Sequence, residues 1–233
     1  MCVYRVNADE IHRMRHAPIL LLFCLAALTS GCVSGSTDTA SVPIRLYAIT
    51  SSVPQASTYP AGSIMSVPVN VTYNGVAFPK GSVRWVVLSG KGLLSDTIST
   101  TDTLGASHIL WTLGTSPGDN ALSIAIGDAV DTLHVTAVVG TASYLDRVGN
   151  QVDTVATSLP LVLQVVVRDR SGNPVAGSTT NWSASGGQIT ATAGTSDATG
   201  LSTATFSATA PGNYNIVAEL PGEASMFFQV TVR

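Results

Sequence analysis

The sequence predicts an all-β chain that carries two tandem sandwiches, and three observations lead to that reading. The same order of residue types is written twice: Trp85 and Trp182 stand 97 residues apart, Asp102 and Asp197 95 apart, and Gly118 and Gly212 94 apart. Ser, Thr, Val, Ala and Gly dominate and charged residues are only 11% of the chain, a composition suited to pleated, half-buried surfaces rather than long amphipathic helices. Short apolar runs are separated by turn residues such as Asn74-Gly75, Ser89-Gly90 and Pro117-Gly118-Asp119-Asn120.

The first element is a leader. Arg13 and Arg15 precede an apolar run from Ala17 to Leu28, and the small residues Thr29, Ser30 and Gly31 lead to Cys32. A basic start, a short apolar stretch and a small-residue exit make a secretory signal peptide, expected over residues 1–31 with Met14 as an alternative start. The run falls short of the ~20 apolar residues that a membrane-spanning helix needs. Residues 32–42 are rich in Ser and Thr and are expected to form a flexible tether. Cys2, Cys24 and Cys32 are the cysteines of the chain, so neither repeat holds an internal disulfide and packed sheets alone must stabilise it.

A repeat of this length is the size of one immunoglobulin-like sandwich. The first is expected over residues 43–140, with strands at Ile44–Ile49, Ser66–Tyr73, Ser82–Leu88, Leu93–Thr97, Ser107–Leu113, Ala121–Ile126 and Thr132–Val138. The second is expected over residues 141–233, with strands at Tyr144–Val148, Leu161–Arg168, Ser178–Ser185, Gly187–Thr190, Ser202–Ser207, Asn213–Glu219 and Ser225–Val232. Clean alternation in the last of these directs Phe228, Val230 and Val232 to the core. Trp85, Trp182 and Trp111 have apolar neighbours and are expected in the cores; an exposed platform for stacking on sugars is the alternative.

Asp169 to Pro174 reads as a hairpin closure. Asp169 is suited to accept backbone N–H bonds, Gly172 to take a positive φ, Asn173 to sit in the turn, and Pro174 to fix the exit and block further pairing. Asp102 with Gly105, and Asp197 with Gly200, read as one further turn device used twice. Calcium is the alternative for these aspartates, but it takes about six to eight oxygens and each turn offers one carboxylate.

No catalytic set is expected. His108 and His134 fall in different strands without a second ligand at metal spacing, and Ser107 points away from its neighbour His108. A nucleophile elbow, a phosphate loop and a close carboxylate pair are all missing from the sequence. The net charge of −3, with no basic cluster beyond the leader, argues against nucleic acid. Asn70-Val71-Thr72 and Asn181-Trp182-Ser183 match the glycosylation pattern and are read as chance. No cofactor and no metal are expected.

Two resemblances go further. Thr29-Ser30-Gly31-Cys32 is similar to the lipobox of bacterial lipoproteins, with the usual leucine one place early at Leu28. It implies lipid on Cys32 and a membrane anchor; an ordinary signal peptide cut nearby is the alternative. Val165-x-Val167-x-Asp169-x-x-Gly172-Asn173-Pro174-Val175-x-Gly177, Trp182, Asp197-x-x-Gly200, Pro211-Gly212 and Val230-Thr231-Val232 resemble the bacterial Ig-like domain group 1, the repeat of invasin- and intimin-type surface proteins. The first repeat keeps Val69-x-Val71, Asn74-Gly75, Gly81, Trp85, Asp102-x-x-Gly105 and Pro117-Gly118, and reads as a diverged copy or a neighbouring Ig-like family.

The functional expectation is a non-enzymatic, exported envelope lipoprotein, in the outer membrane or at the cell surface. Its two domains would serve adhesion, protein–protein contact or spacing, with an unknown surface protein or glycan as partner. The alternative is a carbohydrate-binding module, for which Tyr47, Tyr59, Tyr73, Tyr144 and Tyr214 would form a flat exposed row. Ser171–Asn173 and Thr195–Thr199 are candidate binding loops.

Overall fold

The computed structural model describes residues 46–191 and 195–233. Residues 43–233 form one compact unit. The expected signal peptide, Cys32 and the tether at 32–42 lie outside the described residues.

The N-terminal sandwich is built from β1 (Tyr47–Ser51), β2 (Ser57–Pro60), β3 (Ile64–Tyr73), β4 (Val76–Ala77), β5 (Ser82–Ser89), β6 (Leu93–Leu94), β7 (Ile98–Thr100), β8 (Ala106–Thr112), β9 (Gly118–Ile126) and β10 (Ala129–Val138). One sheet has the order β1-β3-β8-β6, with β4 also on β3; the facing sheet has the order β2-β10-β9-β5-β7. The C-terminal sandwich is built from β11 (Tyr144–Val148), β12 (Val152–Val155), β13 (Leu161–Arg168), β14 (Asn181–Ala184), β15 (Gln188–Ala191), β16 (Leu201–Ser207), β17 (Gly212–Leu220) and β18 (Ala224–Val232). Its sheets, β11-β13-β16-β15 and β12-β18-β17-β14, repeat the first topology strand for strand apart from β4 and β7.

Period-two alternation places the cores. Val67, Val69 and Val71 of β3 and Ile109 and Trp111 of β8 face Trp85, Leu122, Ile124, Leu133 and Val135 of the other sheet. In the second sandwich Leu163, Val165 and Val167 meet Ile216, Phe228, Val230 and Val232, the last three of which are buried as the alternation predicts. Each fully buried Val, Leu, Ile or Phe is worth roughly 1.5–3 kcal/mol.

The strand count differs from the seven expected in each sandwich. β2 and β12 carry no sequence signal: STYP and VDTV are short, half-exposed, and place their polar residues side by side rather than in alternation. Tertiary pairing creates them. The chain leaves β1 in one sheet, crosses over, and pairs parallel with the last strand of the other sheet, β2 on β10 and β12 on β18. Of the strand expected at Leu93–Thr97 only Leu93–Leu94 forms, as β6 on β8, and a short strand that was not expected, β7, follows on β5 of the other sheet. β1 begins at Tyr47, and the expected start at Ile44 lies outside the described residues.

Candidate functional site

The three Asp-x-x-Gly turns share one geometry. Oδ1 of Asp102 accepts the N–H of Leu104 at 2.8 Å and of Ala106 at 2.9 Å. Oδ1 of Asp197 accepts Thr199 N–H at 2.8 Å and Leu201 N–H at 2.9 Å. Oδ1 of Asp169 accepts Ser171 N–H at 2.9 Å and Asn173 N–H at 2.8 Å. The glycine N–H returns to the aspartate carbonyl in all three, for Gly105, Gly172 and Gly200.

Gly105 and Gly200 are held by position as well as by conformation. Both have φ of +76°, and a Cβ would lie 2.4 Å from Val71 O in the first case and 2.7 Å from Val167 O in the second. Those carbonyls are crowded because the backbone of the turn lies against β3 and β13.

Sequence reasoning missed the residue just before two of the aspartates. Thr101 and Ser196 are 3% and 4% exposed. The Thr101 hydroxyl donates to Phe78 O at 2.6 Å and accepts Gly81 N–H at 2.7 Å. The Ser196 hydroxyl donates to Val175 O at 2.7 Å and accepts Ser178 N–H at 3.0 Å. One hydroxyl thus satisfies a donor and an acceptor of the neighbouring crossover, where an unpaired buried group would be costly. The signal was the hydroxyl residue preceding Asp-x-x-Gly in both repeats.

Burial alone would raise the Asp169 carboxyl, but hydrogen bonds from the Asn173 side chain and from the N–H groups of Gly140, Asn173 and Ser171 outweigh it and hold the group below its ordinary value. The Asp197 carboxyl is lowered by the Thr199 hydroxyl and by the N–H groups of Leu201 and Thr199. Among the described residues no group of three or more His, Cys, Asp or Glu is placed to hold a metal ion.

Trp85 and Trp111 are 1% and 0% exposed. Trp182, expected in the core, is only partly buried, because β14 is short and lies at the edge of its sheet; its ring stacks on Phe228 at 5.8 Å. The five tyrosines form no exposed row. Each is partly buried: Tyr47 packs on Tyr73 at 4.9 Å and on Phe78 at 5.2 Å, while Tyr214 packs on Phe206 and donates to Ala210 O. Ser107 is buried and His108 exposed, on opposite faces of β8.

Pro174 does not end pairing as expected. It forms an isolated bridge to Arg168, and Val175 N–H reaches Val167 O at 2.9 Å, so one further bond is made past the ring although no strand forms there. The candidate loop Ser171–Asn173 is also not free: Ser171 donates to Ala61 O and Asn173 to Thr115 O, both in the first sandwich. Around the second candidate loop, Thr195 and Asp197–Thr199 are exposed while Ser196 is buried.

An exposed apolar row lies on the outer face of the first sheet. Ile64 and Leu93 flank Thr112 across β3, β8 and β6, and Leu110 lies two residues along β8; they are 67%, 72% and 48% exposed.

Comparison with known proteins places these features. No curated protein matches the chain. Among solved structures, the Escherichia coli adhesin FdeC superposes with a TM-score of 0.52 at 17% identity, covering 81% of this chain and 64% of that one. The D0-D1 domain of intimin matches at 20% identity and a TM-score of 0.33, covering 80% of this chain and 95% of that one. The Yersinia pseudotuberculosis adhesin InvE matches at 15% identity and a TM-score of 0.34, covering 80% and 58%. The FdeC likeness carries the tandem sandwich fold. Residues 152–233, the second sandwich from β12 onward, match the family model of the bacterial Ig-like domain (group 1).

Proposed function

We propose that the protein is an exported envelope protein without catalytic activity, held to a membrane by lipid on Cys32 and presenting its two sandwiches for contact with a surface protein. The observation that carries this reading is the group 1 match over residues 152–233, joined to a leader whose basic start, apolar run and small-residue exit end at Cys32. The likeness in fold to the Escherichia coli adhesin FdeC agrees with it. Lipid would supply the anchor at ~0.8 kcal/mol per buried methylene, with more than one chain needed for a stable hold.

The contact surface put forward is the outer sheet face that carries Ile64, Leu93 and Leu110 around Thr112, since exposed apolar side chains gathered on one face mark protein interaction sites. Its test is capture of partners from an envelope extract by the immobilised protein, beside an array of glycans. One saturable protein partner, lost on Ile64→Asp and Leu93→Asp without a change in the unfolding midpoint, supports the reading. A glycan hit instead would favour a carbohydrate-binding module, and silence in both would leave a spacer.

A further inference from the structure

The Asp169 turn does more than its two counterparts. Closure of an Asp-x-x-Gly turn uses Oδ1 alone, as Asp102 and Asp197 demonstrate with their exposed carboxylates. Asp169 is 2% exposed, and its Oδ2 accepts Gly140 N–H at 2.8 Å and Asn173 Nδ2–H at 3.0 Å. Gly140 belongs to the short junction Val139-Gly140-Thr141 between β10 and β11. A second contact set points the other way: Ser171 Oγ donates to Ala61 O at 2.6 Å, and Asn173 Nδ2 donates to Thr115 O at 2.8 Å.

A Cβ on Gly62 would lie 2.5 Å from Ser171 Oγ, so the hydroxyl would have to turn away from Ala61 O, whereas one on Gly140 would meet Asp169 Oδ2 at an ordinary contact distance of 3.4 Å. The fifth residue of the turn is the amide Asn173 here, but the apolar Ala106 and Leu201 in the other two turns. Local folding accounts for the bond between Asn173 Nδ2 and Asp169 Oδ2, but not for those from Gly140 to Oδ2, from Ser171 to Ala61 and from Asn173 to Thr115.

We propose that the Asp169–Asn173 turn is an inter-domain fastener: its carboxylate immobilises the Gly140 junction while Ser171 and Asn173 grip the carbonyl rim at the end of the preceding sandwich. The partner it fits is that rim, a pair of backbone carbonyls beside a residue without a side chain. Asp-x-Ser-Gly-Asn then marks a joint, and Asp-x-x-Gly followed by an apolar residue marks an internal turn. The inference is independent of the adhesive reading, because it concerns only how the two sandwiches are joined.

The test uses the full chain with spin labels on unnatural amino acids at the exposed positions Asp128 and Glu223, one in each sandwich. The parent chain gives a narrow distance distribution. Asp169→Asn keeps an oxygen for turn closure but turns an amide toward Gly140 N–H; Ser171→Ala with Asn173→Leu removes both side-chain donors to the first sandwich and leaves the Oδ1 closure of the turn in place. Each broadens the distribution about twofold or more, and exchange of the Gly140 amide rises at least about tenfold. Asp197→Asn, the same substitution in a turn whose closure uses Oδ1 alone, leaves the distribution narrow. Distributions as narrow as the parent's in both Asp169→Asn and the double variant overturn the proposal; if Asp169→Asn does not fold, the double variant decides it.

Discussion

The indole N–H of Trp182 reaches the hydroxyl of Ser202, 3.2 Å away on the opposite sheet. In the first sandwich Trp85 makes the same crossing through an intermediate: its N–H donates to Ser99 Oγ at 2.7 Å, and Ser107 Oγ donates to the same oxygen at 2.7 Å. Immunoglobulin domains of antibodies tie their sheets with a disulfide beside the central tryptophan. Here the tie is a hydrogen bond, which needs no oxidising compartment. Ser202→Ala should lower stability by about 1–2 kcal/mol, and a double-mutant cycle with Trp182→Phe should recover most of that as coupling, read by urea unfolding.

Glycine substitutions separate conformation from crowding. Gly149 has φ of +90° with nothing within 4 Å of a Cβ, whereas Gly105 has φ of +76° and Val71 O at 2.4 Å. Gly149→Ala is expected to cost about 1 kcal/mol, the strain of the left-handed region alone. Gly105→Ala is expected to cost clearly more, with a larger drop in Tm.

Removing a buried hydroxyl should open a crossover locally. Thr101→Val leaves Gly81 N–H and Phe78 O without their partner and should cost about 2–3 kcal/mol. Ser196→Ala should act likewise on Ser178 and Val175. Native-state hydrogen exchange would read it at the Gly81 and Ser178 amides; unchanged protection there would contradict the assigned role.

Acid should weaken the fold through two carboxylates. Asp169 and Asp197 both sit below the ordinary value of 3.8 in the folded chain, so each contributes stability that is fully present above that pH. The contribution is lost as pH falls through the lowered folded values. Unfolding midpoints measured from pH 6 downward (about pH 6 to pH 2) should hold level and then decline, and Asp197→Asn should flatten the decline.

The anchor has its own check. Cys32→Ser should move the protein from the membrane fraction to the soluble fraction, and an inhibitor of lipoprotein signal peptidase should shift its size. A protein that fractionates with membranes regardless would defeat the lipid reading.

Long, strongly alternating strands were legible in the sequence: β3, β10, β13 and β18 announce themselves through Val69 and Val71, Val135, Val165 and Val167, and Phe228 and Val230. β2 and β12 were not, because four half-exposed residues gain their conformation only by pairing with a strand some 75 residues away. The Asp-x-x-Gly turns could be recognised because aspartate and glycine have few other reasons to recur at that spacing. The second oxygen of Asp169 could not, since its partner Gly140 sits 29 residues back and a backbone N–H leaves no mark on a sequence.

The parallel pairing of β2 with β10 and of β12 with β18 has a mechanical consequence. In each sandwich an early strand and the last strand run the same way, secured by bonds such as Ala61 N–H to Val138 O at 2.8 Å and Thr157 N–H to Arg233 O at 2.9 Å. Tension applied between the ends of the chain drags these strands past one another, so the ladder is loaded in shear and its bonds must fail together rather than peel singly. Resistance to pulling is set by the barrier to that concerted rupture, not by equilibrium stability. A protein fastened at one end and gripped at the other would therefore meet a sudden load with its most force-resistant pairing.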